Sequence, residues 1–183
     1  PRRKQLLSYL PYPFEVIPSD VEEHLDFYEN PIDYARQLAE LKAKDVAAKN
    51  PSRWALGCDT IVEKEGAILG KPENEQEAKK MLQFLSNSHH KVITAFSLIK
   101  YERNMGPTKI TDHETTQVHM GDIPDRLIME YCQTGSPFDK AGAYGIQDPL
   151  ASRMIIGIQG DYLNVVGLPV YKLNQIIQSH IQL

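Results

Sequence analysis

Nine residues, Asp139 to Gln147 (D-K-A-G-A-Y-G-I-Q), hold an acid, a base, two glycines, a tyrosine and an amide between Pro137 and Pro149. Gly142 and Gly145 permit close approach of backbone to a ligand, or turns at positive φ. Asp139 offers a general acid or base, Lys140 a charge partner for phosphate, and Gln147 an amide that donates and accepts at once. The same composition suits a surface loop bounded by prolines, because Gly, Pro and Asp also collect in turns for backbone reasons alone. Asp59 stands out by its cost: it interrupts the apolar run W-A-L-G-C-D-T-I-V-E, Trp54 to Glu63, where a charge is expensive unless paired or coordinating. Arg2, Arg3, Lys42, Lys71 and Lys140 fall at element ends or beside glycines, and Glu23, Asp59 and Asp139 lie in similar settings. That mixture suits a magnesium-bound polyphosphate, with carboxylate oxygens on the metal and cations on the remaining phosphate charge. Each lysine alone reads more readily as a solvated side chain; only convergence in space makes a site.

Other chemistries find less support. G-x-x-x-x-G-K-[ST], G-x-G-x-x-G after a strand, H-E-x-x-H and C-x-x-C are all missing from the sequence, so the commonest nucleotide and metal fingerprints are absent. His89-His90 lies between a predicted helix and a strand and reads as a surface turn, with no third ligand evident. His24, His113, His119 and His180 are isolated. Cys58 and Cys132 match no metal spacing and suit a reduced intracellular protein in which both are packing residues.

The elements that must position these residues follow from periodicity. Leu6, Leu7 and Leu10 behind a basic head predict a short helix over Arg2 to Tyr9, with Pro1 in its first turn. Two arginines at the positive end of a helix dipole are unfavourable unless an anion lies nearby. Phe14 to Ile17 reads as a short strand. Asn30 to Lys49 is the longest helical pattern, with Pro31 near its start and Tyr34, Leu38, Leu41, Ala43 and Val46 among its apolar positions. Trp54 to Glu63 is the best strand, covered on both faces. Glu65-Gly66 is a hairpin turn into Ala67 to Leu69, and Glu75 to Ser86 is an amphipathic helix. Val92 to Tyr101 and Glu114 to Met120 are strands, joined by a polar, mobile connection over Glu102 to Asp112. Pro124 to Gln133 is a helix closed by Gly135. Arg153 to Gln159 and Leu163 to Val166 read as strands, and a last amphipathic helix carries Tyr171, Leu173, Ile176, Ile177 and Ile181.

These elements alternate irregularly, with hairpins in the middle, and predict a mixed α/β fold in one domain spanning residues 1–183. A chain of 183 residues buries roughly 70% of its unfolded surface. Twenty basic and 24 acidic residues give a formal net charge of −4, which supplies no general basic field for nucleic acid. No run approaches a membrane span, and a cytoplasmic protein is expected.

P-R-R at Pro1 to Arg3, L-G-C-D-T at Leu56 to Thr60, G-K-P at Gly70 to Pro72, D-K-A-G-A-Y-G-I-Q, and G-D-Y-L-N-V-V-G-L-P at Gly160 to Pro169 stand in an order and spacing that resembles the Maf family of nucleoside triphosphate pyrophosphatases. The resemblance covers nearly the whole chain. It implies an α/β fold with a mixed parallel and antiparallel sheet, flanking helices and two lobes around a cleft, related to the inosine-triphosphate pyrophosphatase type, and commonly a homodimer. It implies metal-assisted hydrolysis of a nucleoside triphosphate to monophosphate and pyrophosphate, with Mg²⁺ or Mn²⁺. Asp59 would act as general base, Glu23 and Asp59 would lie at the metal, and Arg2, Arg3, Lys42, Lys71 and Lys140 would clamp the triphosphate, with Asp139 beside them. Arg2, Thr60 and Gln147 match positions tied to substrate choice. The intact A-Y-G-I-Q resembles the branch acting on dTTP and UTP, and the 7-methyl-GTP branch differs there. Modified pyrimidine nucleotides would be further substrates in a house-cleaning role, and the alternatives are a nucleotide-binding regulator of cell division without turnover or a pyrophosphatase for 7-methyl-GTP. Cys58 stands where the family usually has alanine.

Overall fold

Asparagine caps open two of the helices. The computed structural model describes residues 1–102 and 106–181. Its first elements are helices α1 (Arg2–Leu7) and α2 (Pro31–Lys49), strands β1 (Ala55–Lys64) and β2 (Ala67–Leu69), and helix α3 (Glu75–Leu85). Strands β3 (His89–Lys100) and β4 (Thr108–Met120), helix α4 (Asp125–Gln133), strand β5 (Ile155–Gln159) and helices α5 (Tyr162–Val166) and α6 (Val170–His180) complete it. Asn30 opens α2 and Asn74 opens α3: each is extended, and each side chain accepts a hydrogen bond from the backbone N–H three residues on, the ordinary N-cap arrangement. Pro31 follows at the first helical position, where its missing N–H costs nothing. Gly135, at φ 73°, stands just past Thr134, the C-cap of α4.

The strands form one five-stranded sheet in the order β2-β1-β3-β4-β5. β1 and β2 pair antiparallel in the register Val62↔Leu69, Glu63↔Ile68, Lys64↔Ala67. Their turn has positive φ at both central residues, 54° at Glu65 and 84° at Gly66, as a two-residue primed turn requires. β4 and β5 also pair antiparallel, with an irregularity between His119 and Met120. These pairings meet the expected α/β class and its antiparallel hairpins.

The chain divides into two compact units, Pro1–Thr60 with Thr94–Glu114 and Gly167–Leu183, and Ile61–Ile93 with Thr115–Val166. In the first, Ala43, Ala47, Ala55 and Ile99 form a core that Val46 and Tyr101 cover. In the second, Ala78, Met81, Leu82 and Leu85 of α3 pack with Val118, Met120, Leu127, Ile128 and Tyr131, so the amphipathic patterns of α3 and α4 face a shared core.

Several expectations are corrected. Phe14 to Ile17 belongs to no strand, and Val16 is 62% exposed; strand composition forms no strand where, among the described residues, no other strand pairs with it. Leu163 to Val166 is not a strand but part of α5, because the Asp161 side chain accepts from Leu163 N at 2.8 Å and so caps a helical turn. The connection over Glu102 to Asp112 is shorter than expected: β4 already begins at Thr108, while residues 103–105 lie outside the described residues. His89-His90 is the start of β3 rather than a surface turn. His90 is 3% exposed and its Nε2 hydrogen-bonds the Tyr144 hydroxyl at 2.7 Å. The His89 ring stacks on His119 at 3.9 Å.

Candidate active site

Gly57 decides how closely α2 approaches β1. A Cβ at that position would lie 2.2 Å from Ala39 O and 2.5 Å from Ala43 N, so only a bare α-carbon admits the helix backbone. The α2 side chains at i, i+4 spacing here are Ala35, Ala39, Ala43 and Ala47, each 0% exposed. Asp59 follows Gly57 by two residues and so projects from the same face of the strand. Lys42 immediately precedes Ala43. As a result Lys42 Nζ donates to Asp59 Oδ1 at 2.7 Å and pairs with Glu23 Oε2 at 3.0 Å. Asp59 is 7% exposed, whereas the Glu23 side chain is about half exposed. The charge that looked costly in an apolar strand is compensated by an ammonium from the adjoining helix.

Tyr34 is a neighbour that the sequence reading placed only among apolar helix positions. Burial, and after it the charges of Asp59 and Glu23, raise its phenol above the ordinary value. Its spacing to Leu38 and Lys42 is i, i+4, i+8, which in sequence is the same for a core aromatic and for a site residue.

A second hydrogen-bonded group adjoins in sequence. Arg3 Nη2 donates to Thr60 Oγ1 at 3.1 Å, Arg3 Nε donates to Gly167 O at 3.0 Å, and the Thr60 and Thr94 hydroxyls are 2.9 Å apart. Gly167 sits at φ 128°, a conformation in which a side chain is strained. Arg2, the first residue of α1, is half-buried. Cys58 is buried and its thiol is pushed up to about 11, chiefly by burial; such a thiol is not a nucleophile at neutral pH, in keeping with packing.

The remaining predicted residues belong to the second unit. Lys71 follows β2 and is exposed, as is Gln147. Asp139 ends a turn of 3₁₀ helix, Ser136–Asp139, and its carboxylate accepts from Lys140 Nζ at 2.6 Å. Sequence-predicted residues are thus brought together as Glu23, Lys42 and Asp59, as Arg3 and Thr60, and as Asp139 and Lys140.

Among the described residues no three His, Cys, Asp or Glu side chains gather into a metal cage. Asp59 and Glu23 are instead two hard carboxylates around one cation. This donor set fits a small divalent ion of the kind that takes one or two protein carboxylates and fills its shell with water and phosphate oxygens.

A family model described as Maf-like protein matches residues 1–180. The chain belongs to the Maf family. A dTTP/UTP pyrophosphatase of Bacillus cereus is 45% identical over 173 residues, covering 94% of this chain and 87% of that protein. Proteins of the same name from Alkaliphilus oremlandii and Halalkalibacterium halodurans are each 44% identical, each covering 98% of this chain and 92% of their own length. The Maf resemblance seen in five short motifs therefore extends through both units. No helix among the described residues is long and apolar enough to cross a membrane.

Proposed function

We propose that this chain hydrolyses dTTP and UTP to the nucleoside monophosphate and pyrophosphate, as the names of its relatives in the Maf family state for them. The observation that carries the reading is Asp59: a 7% exposed carboxylate in an apolar strand, fixed at 2.7 Å by a lysine whose ammonium also pairs with Glu23.

Asp59 takes a proton from the attacking water, whose oxygen bonds to the α-phosphorus while the α–β bridging oxygen leaves with pyrophosphate. Lys42, fixed by two carboxylates, keeps Asp59 oriented for that transfer. Arg2, Arg3 and Lys71 neutralise charge on the triphosphate, and the value of these cations rises once bound substrate excludes water from them. Arg3 already holds the Thr60 hydroxyl, which ties phosphate binding to a residue that the resemblance links to substrate choice. Gln147 reads the base: its amide donates and accepts together, matching the O4 and N3–H edge that thymine and uracil share. Asp139 and Lys140 belong to that recognition segment. Glu23 and Asp59 would hold a divalent ion, Mg²⁺ or Mn²⁺, which when bound neutralises phosphate charge. The reading treats residues 1–183 as one catalytic domain that acts as a homodimer.

Asp59→Asn keeps the shape and removes the base. Pyrophosphate release from dTTP and UTP is expected to fall about 10²- to 10⁴-fold, and undiminished turnover would overturn the assignment. A panel with CTP, modified pyrimidine triphosphates and 7-methyl-GTP, each with Mg²⁺ or Mn²⁺, identifies the preferred base and ion. Preference for 7-methyl-GTP would move the chain to the other branch, and tight binding without turnover across the panel would make it a regulator.

A further inference from the structure

Gln147 is presented by a turn whose two ends are bound to one buried phenol. Asp148 N donates to Gly145 O at 2.9 Å, closing a four-residue turn with Ile146 and Gln147 at its centre. Gly145 N donates to the Tyr131 hydroxyl at 3.0 Å, and that hydroxyl in turn donates to Asp148 Oδ2. Tyr131 is 1% exposed, on α4. Burial first, and then the bond to Asp148, push its phenol well above the ordinary value, so it keeps the proton that this chain of bonds needs. Ser136 Oγ also donates to Asp148 Oδ2, at 2.7 Å. One carboxylate oxygen therefore anchors the far end of the turn from two hydroxyls.

Lys140 completes the clamp. Its ammonium donates to Ser136 O at 2.7 Å, Ser136 Oγ at 2.9 Å and Asp139 Oδ1 at 2.6 Å, and it lies 3.6 Å from Asp148 Oδ2. Three donors already meet three acceptors, and the side chain is 10% exposed. A Cβ on Gly145 would come within 2.5 Å of Lys140 Cε and 2.8 Å of Asp148 Oδ2, so glycine at the first position of the turn is what lets the lysine stem lie across it. Preceding the turn, Tyr144 is fixed through its hydroxyl to His90. An exposed amide at the middle of a turn has little of its own to hold it; here the backbone on both sides is bound to the interior.

We propose that Tyr131, Asp148 and Lys140 are positioning residues that set which nucleobase Gln147 accepts, and that Lys140 acts in this way and not as a phosphate ligand. The proposal rests on the reading of Gln147 as the base-recognising residue. Its chemistry is general: a hydrogen-bonding site discriminates only while its donors and acceptors are held in place, and discrimination relaxes when the support loosens.

The test measures kcat and KM for dTTP and CTP in the wild type and in Tyr131→Phe, Asp148→Asn, Lys140→Met and Gln147→Ala, with melting curves to confirm folding. Tyr131→Phe and Lys140→Met are expected to lower the dTTP-over-CTP ratio of kcat/KM about tenfold, mainly through KM for dTTP. In the double variant Tyr131→Phe with Gln147→Ala, the ratio should fall no further than in Gln147→Ala alone, because both changes act through one amide. A phosphate-binding Lys140 would instead depress both nucleotides equally and leave the ratio intact, which would overturn the proposal. Additive losses in the double variant would overturn it too. Should Tyr131→Phe not fold, Asp148→Asn carries the same expectation with less change in packing. Failure of the underlying reading shows separately, in a wild type that releases no pyrophosphate or does not discriminate, or in a Gln147→Ala variant that keeps the wild-type ratio.

Discussion

His90 shows what one buried side chain contributes to the behaviour of the protein. Its Nε2 meets the Tyr144 hydroxyl, while Nδ1 is buried with no hydrogen-bond partner among the described residues. Burial, followed by the charges of Lys64 and His89, lowers its pKa from 6.5 to about 4. The sign follows from linkage: between those values the unfolded chain binds a proton and the folded chain does not, so stability is fully present above 6.5 and is lost as pH falls toward 4. The loss is roughly 3 kcal/mol if the whole shift is expressed. Urea unfolding at pH 7.5 and pH 4.5 should show it in the wild type. A His90→Phe variant should show a shallower pH dependence, and an equal slope in both would rule out His90 as the titrating group. The same residue-level accounting applies at Lys42. Two carboxylates share its ammonium, so replacing Asp59 by asparagine preserves the packing while removing the proposed base, which makes it a cleaner test of chemistry than replacing the lysine.

Between elements, the deciding contact is α2 on β1. Gly57 has no room for a methyl group, because backbone atoms of Ala39 and Ala43 occupy the space, and backbone cannot step aside as a flexible side chain can. Gly57→Ala is therefore expected to destabilise the fold by about 1–3 kcal/mol and to lower pyrophosphate release by forcing Lys42 away from Asp59. Gly157→Ala is the control: it has nothing within 4 Å and no positive φ, and both its melting temperature and its activity should stay near wild type. Equal behaviour of the two variants would show that the close approach does not set the pair. The Gly145–Asp148 turn works at the same scale, with α4 supplying the phenol, the Ser136–Asp139 turn the hydroxyl, and Lys140 just after that turn the ammonium that holds it.

At the scale of the whole molecule, 20 basic and 24 acidic residues leave a formal net charge of −4, so a triphosphate gains no long-range attraction from the protein as a body and must be held by local cations. Duplex DNA, which needs an extended basic face, should give no mobility shift at about 0.15 M salt, where charges beyond roughly 8 Å are screened; a complex under those conditions would contradict the charge argument. Much of this molecule was legible in its sequence. Pro31 and the apolar spacing behind it announced α2, the amphipathic pattern of Glu75 to Ser86 announced α3, Glu65-Gly66 announced its hairpin turn, and Asp59 announced itself by the cost of a charge in an apolar strand, because each of these signals acts over only a few residues. The irregular alternation of elements also fixed the α/β class, and five motifs in order fixed the family resemblance. What needed the tertiary structure was every pairing across distance. Phe14 to Ile17 had strand composition but no partner strand, and His89-His90 looked like a turn until β3 placed His90 against Tyr144. Lys140 looked like a free cation until Ser136, Asp139 and Asp148 closed on it. Neither the partner of Asp59 nor the anchor of Gln147 is adjacent in sequence. Lys42 and Tyr131 meet them only because helices packed on strands and turns bring distant side chains within hydrogen-bonding distance, and that is decided by the fold of the chain.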